Sequence, residues 1–289
     1  MATGPRQDSR AITRWQLESA VQLEQFELHY QPMIDTRDRW LHGVEALVRW
    51  NHPERGLLRP AEFIPQAEET GAIVALGAWV LRQACSEFRL LRPKGRDLLL
   101  SVNVSAAQLE RPEFLASLAD VLEETRMPAR LLQLEITESI FLGDSMRMGA
   151  LLQGIRGMGV RIAFDDFGTG YSSLSYLERF PVDLLKVDQY FVQRLGKGLV
   201  NAEIVQLIVH IARAIGMNVS AEGVETVDQA AALSQLGCHI SQGYLFSRPL
   251  PLNAIVKMLQ EETREAERKG VQQELELGWV SLLSEGAGG

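Results

Sequence analysis

The chain has 289 residues, 46% hydrophobic and 23% charged, with a formal net charge of −8. That length suits one large domain or two small ones around a substantial core, and no apolar run approaches the roughly 20 residues of a membrane span. The acidic balance argues against a protein that coats a nucleic-acid polymer, although a small phosphate ligand stays compatible where metal ions or placed cations neutralise it.

Residues 1 to about 12 read as disordered and lack the apolar core of a signal peptide. Cys85 and Cys238 lie far apart with no CxxC pairing, so neither a disulfide framework nor a thiolate metal site is expected, and a cytoplasmic setting fits best. A short amphipathic helix follows (Trp15, Leu17, Val21, Leu23). Phe26–Pro32 alternates like a strand that stops at its proline. The next strand, Leu41–Trp50, is joined to it only by Asp35–Arg39, too short for a crossover helix, so the two are expected to be antiparallel. Strands and helices then alternate. Helical spacing over Ile73–Leu91 precedes the strand Leu98–Val104, and a helix over Phe114–Glu124 precedes Leu131–Ile136. A helix around Met146–Met158 leads into Val160–Asp165. Val182–Asp188, the helix Ile204–Ile215, Met217–Glu222, the helix Val227–Leu236 and His239–Gly243 complete the alternation, and Leu252–Arg268 closes it.

About eight strands in about 250 residues form the signature of an α/β fold, a TIM-like (β/α)8 barrel with an antiparallel first strand. The alternative, a doubly wound open sheet, normally shows a glycine fingerprint after its first strand, and none is found.

Alternation along each strand sends one set of residues to each face. Glu45, Leu47 and Arg49 share a face; so do Ser101 and Asn103, Gln133 and Glu135, Ala163 and Asp165, Lys186 and Asp188, and Ser220 and Glu222, with Gln242 closing the last strand. Adjacent Asp165 and Asp166 repel each other unless protons or cations lie between them; capping of a following helix is the plainer reading of that pair. Taken together, the polar strand ends converge on the face where such barrels assemble active sites. An oxygen-rich set with no cysteine and no histidine at metal-ligand spacing suits Mg²⁺ or Mn²⁺ rather than zinc.

These residues resemble the EAL domain, the phosphodiesterase family that linearises cyclic di-GMP. The resemblance rests on Glu45-Ala46-Leu47-Val48-Arg49-Trp50, Phe63-Ile64-Pro65, Asn103-Val104-Ser105, Leu134-Glu135-Ile136-Thr137-Glu138, Asp165-Asp166-Phe167-Gly168-Thr169-Gly170, Lys186-Val187-Asp188, Glu222-Gly223-Val224-Glu225 and Gln242-Gly243-Tyr244. It implies two metal ions, with Glu45, Asn103, Glu135 and Asp165 as ligands of one, and Asp165, Asp166 and Glu222 at the other. It implies Lys186 and Glu222 as catalytic groups, and Gln31, Leu47, Arg49, Asp188, Gln242 and Pro249 as contacts to cyclic di-GMP. Glu138 resembles the glutamate that holds the loop Phe167–Leu177. A linear pGpG product, a homodimer and no membrane segment are further expectations, as is a division into 1–25 (tail and short helix), 26–260 (EAL phosphodiesterase domain) and 261–289 (charged helix and tail). The competing readings are a receptor that binds cyclic di-GMP without cutting it and signals through a partner, and an unrelated metal-dependent barrel hydrolase.

Overall fold

The computed structural model describes residues 12–91, 97–137, 140, 145–167, 180–195, 199–265 and 268. The expectations for the first eleven residues, Glu138, the loop after Phe167 and the tail beyond Arg268 fall outside that set.

Among the described residues, ten strands form one sheet: β1 (Phe26–Asp35), β2 (Leu41–His52), β3 (Gly56–Leu58), β4 (Leu99–Asn103), β5 (Leu132–Thr137), β6 (Arg161–Phe167), β7 (Leu184–Val187), β8 (Asn218–Ala221), β9 (Ile240–Ser241) and β10 (Leu250–Pro251). Eight of them close a barrel in the order β1-β2-β4-β5-β6-β7-β8-β9, with β9 returning to β1. Seven run parallel; β1 is antiparallel to both of its barrel neighbours, β2 and β9. β3 and β10 are short antiparallel additions to β2 and β1.

The reason is visible in the strand pattern. Val44 and Ala46 on β2, Leu100 and Val102 on β4, Leu132, Leu134 and Ile136 on β5 and Leu185 and Val187 on β7 are buried against the helical shell. Their alternating neighbours leave a polar barrel interior. The helix Ile73–Phe88 answers with a buried stripe of Ile73, Leu76, Val80, Leu81, Ala84 and Phe88, the three-and-four spacing of one helical face. An aromatic group of Phe26, Trp50, Phe63 and Trp79, with ring centroids 5.4–5.9 Å from Phe26, seals the wall beside β1. Full burial of side chains like Trp50 and Phe63 contributes on the order of 1.5–3 kcal/mol each. The helix 252–265 packs through buried Ile255 and Leu259, and Glu262 accepts the Leu41 N–H at 3.0 Å.

The end of the first strand and one helix depart from the sequence reading in ways that matter for the barrel. β1 does not stop at Pro32 but runs on to Asp35. Pro32 falls between the residues that pair with β10 (His29, Tyr30) and those that pair with β9 (Ile34, Asp35), so that flank of the ladder is open where proline lacks its N–H. A helix at Ile64–Thr70, which periodicity did not reveal, starts with proline in its first turn and ends at Gly71 in the left-handed region, both standard boundary devices for a short helix.

Candidate active site

The parallel strands deliver their carboxyl ends to one mouth of the barrel, and the register levels the polar residues there. Glu45 on β2 stands opposite Gln31 on β1 and Ser101 on β4, and Asn103 stands opposite Glu135 on β5. Glu45 is buried and accepts hydrogen bonds from Asn103 Nδ2 at 2.7 Å and Gln242 Nε2 at 2.5 Å. Glu135, 1% exposed, accepts from Ser101 Oγ at 2.5 Å, and Ser101 in turn accepts from Gln133 Nε2 at 2.9 Å. Ser101 and Gln133 lie on the polar face read from the sequence; their role as a relay that aims Glu135 depends on register between strands and has no local signal.

Lys186 is the hub. Its ammonium lies 2.5 Å from Glu135 and 3.2 Å from Asp165, and it also contacts Glu222. Burial alone would push the Lys186 pKa down, but Glu135, Glu222, Glu45 and Asp165 outweigh it and hold the amine well above its usual value. The reverse holds for the acids. Burial raises Glu135 well above the usual carboxyl range, with Lys186 opposing and the other carboxylates adding to the rise. Burial likewise pushes Glu222 up to about 8, opposed by Lys186 and reinforced by Asp165 and Glu45.

β6 carries the Asp165–Asp166 pair on an irregularity. Phe164 pairs with Leu185, but Phe167 pairs with Val187, so β6 holds one residue more than β7 over this span. That is a β-bulge, which breaks alternation where it occurs. Asp166 therefore lies inside the strand, not just past it as the sequence suggests.

The remaining expected contacts surround this centre more loosely. Arg49 is buried, donates from Nη1 to the Val48 carbonyl at 2.9 Å, and is held below the usual arginine pKa by burial and by Arg59. Gln31 Nε2 faces the Ser247 carbonyl at 3.4 Å. Asp188 caps the short helix Gln189–Val192 by accepting the Tyr190 N–H at 2.8 Å. Pro249 is half-buried just before β10. Leu47 lines a cavity of about 640 Å³ that also reaches Glu45, Asn103 and Glu135, a volume that suits a nucleotide-sized molecule.

The donor set fits a hard divalent cation. Oxygen atoms of Glu45, Glu135 and Glu222 all lie within 4.8 Å of one another, with Asp165 on the same ammonium. One buried amine cannot balance four carboxylates, and crowded buried acids need added positive charge to stay ionised. The all-oxygen set is the chemistry of Mg²⁺ or Mn²⁺ sites.

Fold and site together define a (β/α)8 barrel with an acidic, cation-ready centre at its carboxyl-end mouth. The family model described as "EAL domain" matches residues 14–249, and the chain belongs to the EAL domain family. The chain is 44% identical over 245 residues to the cyclic di-GMP phosphodiesterase NbdA of Pseudomonas aeruginosa, covering 84% of this chain and 31% of that protein. It is 41% identical over 241 residues to the bifunctional diguanylate cyclase/cyclic di-GMP phosphodiesterase MucR of the same organism, covering 83% and 35%. It thus spans about a third of the length of these relatives. Among solved structures, the PaMucR phosphodiesterase in complex with c-di-GMP superposes with a TM-score of 0.78 at 41% identity, over 83% of this chain and 97% of that one. The FimX EAL domain from Pseudomonas aeruginosa, bound to c-di-GMP, gives 0.72 at 27% identity, over 81% and 94%.

Proposed function

We propose that this chain hydrolyses cyclic di-GMP to linear pGpG with two divalent ions, Mg²⁺ or Mn²⁺. The observation that carries this reading is the convergence of Glu45, Glu135 and Glu222 oxygens within 4.8 Å around buried Lys186, in a chain similar to proteins described as cyclic di-GMP phosphodiesterases. Glu45, Asn103, Glu135, Asp165, Asp166 and Glu222 would hold the ions, which when bound lower the pKa of water and offset charge on the phosphate.

The chain's own residues supply the rest. Gln242 and Asn103 hold Glu45, and the Gln133–Ser101 relay holds Glu135, so two carboxylates keep their aim. Glu222 takes the proton of the attacking water as its oxygen bonds to phosphorus. The P–O3′ bond breaks, and the freed O3′ takes up a proton. Lys186 keeps an ammonium beside the reacting group and limits repulsion between the acids and the substrate phosphates. Gln31, Leu47, Arg49, Asp188, Gln242 and Pro249 form the contacts to the dinucleotide. The active form is a homodimer in the cytoplasm.

Incubating the protein with cyclic di-GMP and Mg²⁺ or Mn²⁺ and following pGpG by chromatography tests this. Turnover is expected, with Glu45→Ala and Asp165→Asn each lowering it by at least about 100-fold, the scale lost with a placed catalytic group. Tight binding without pGpG would replace the enzyme reading with that of a receptor. Sedimentation reports whether the dimer forms.

A further inference from the structure

The other mouth of the barrel, where the strands begin, holds a second cavity, of about 630 Å³. Leu99, Leu184, Asn218 and Ile240, the first residues of β4, β7, β8 and β9, form its floor. Its polar lining is cationic. Arg37, Arg156, Arg161 and Arg213 converge on it from four different segments, joined by His42 and His239. Among the described residues two carboxylates line it, and each is committed: Asp35 to Arg37, and Asp183 to Arg156 at 3.0 Å. Among the described residues, the side chains of Arg161 and Arg213 have no hydrogen bond or ion pair. Four guanidinium groups against two carboxylates leave an excess of two positive charges, in a chain whose net charge is −8.

All four arginines are exposed, and they border one concavity, so their fields add over it. His239 adds a buried Nδ1 without a hydrogen-bond partner. Gly237 leaves room for the guanidinium of Arg213: a Cβ there would collide with it. The missing side chain thus lets Arg213 lie against the backbone beside β9.

We propose that this mouth binds a small phosphate-bearing anion of nucleotide size. Arginine's planar fork matches phosphate oxygens in pairs, and Arg161 and Arg213 supply two forks that no carboxylate occupies. Asp35 and Asp183 fix the orientation of the other two arginines, and the cavity volume falls in the range of small-ligand sites. The site lies at the far end of the barrel from Glu45, Glu135 and Glu222 and does not depend on the activity proposed for them.

The test is calorimetric titration of the whole chain, freed of divalent ions with a chelator at low salt, using sodium pyrophosphate and GMP as probes. Without divalent ions the acidic mouth repels anions, so saturable heat reports the arginine mouth. Saturable binding of either probe is expected, with the ring resonances of His42 and His239 shifting as it saturates. The double variant R161A/R213A is expected to weaken binding about tenfold or more, equivalent to about 1.4 kcal/mol, with its melting temperature unchanged. Should that variant fold poorly, R213K, which keeps the charge but loses the fork, is expected to weaken binding less. Tighter binding of GMP points to a nucleotide ligand, and tighter binding of pyrophosphate to a bare phosphate; both support the site. Absence of saturable heat with both probes, or equal affinity in the wild type and the arginine variants, overturns it.

Discussion

Lys186 shows how one side chain can be costly and necessary at once. It is 2% exposed and touches three carboxylates. Removing one partner of such a buried group leaves uncompensated charge and costs on the order of 3–5 kcal/mol. Lys186→Met is therefore expected to lower the unfolding free energy of the metal-free protein by that order, read as a fall in its urea midpoint, and added Mg²⁺ should recover much of the loss by replacing the missing charge. An unchanged midpoint would show that the carboxylates are already protonated and need no counter-charge. His42 gives a separate pH dependence. Burial holds its pKa below the usual value, with Asp35 opposing and Arg161 and Arg37 reinforcing. The unfolded chain therefore takes up the proton first as pH falls, so this contribution to stability is present above about 6.5 and is lost as pH drops toward the lowered folded value. Denaturant midpoints at pH 7.5 and 5.5 should show a fall that is smaller in His42→Gln.

At the scale of elements, two local irregularities hold the centre in shape. One is the bulge in β6; the other is Gly243, where an added Cβ would run into the backbone nitrogen and oxygen of Val224. Gly243→Ala must push the segment after β9 away, and Gln242, which donates to Glu45 at 2.5 Å, must move with it. The expected result is a lower melting temperature together with a fall in kcat larger than that of a surface Gly→Ala change, such as Gly157→Ala, where a Cβ meets open space. These elements also show what was legible. The antiparallel start followed from the short link between the first two strands, and the inward acids followed from alternation, because both depend on neighbours in sequence. The bulge, the passage of β1 through Pro32 and the Gln133–Ser101–Glu135 relay were not legible. Each is set by which residue on one strand faces which on the next, and that register joins positions tens of residues apart.

For the whole molecule, a bound divalent ion that prefers the folded chain stabilises it by mass action, about 2.7 kcal/mol at a hundred times its dissociation constant. Mn²⁺ or Mg²⁺ should raise the melting temperature of the wild type and not that of Glu45→Ala/Asp165→Asn; equal shifts would move the ions elsewhere. The inverted β1 carries a different consequence, one of timing. Its partners on one flank are Ser241 and Ile240 of β9 and Leu250 and Pro251 of β10, more than two hundred positions later in the chain. The first barrel strand to be made waits for the last barrel strand before its free edge is covered. Closure is thus a late, long-range event of the kind that slows folding, and a chain halted before Ile240 exposes two unpaired strand edges that invite aggregation. Truncation at residue 239 is accordingly expected to leave insoluble protein, while truncation after Arg268 leaves a soluble barrel.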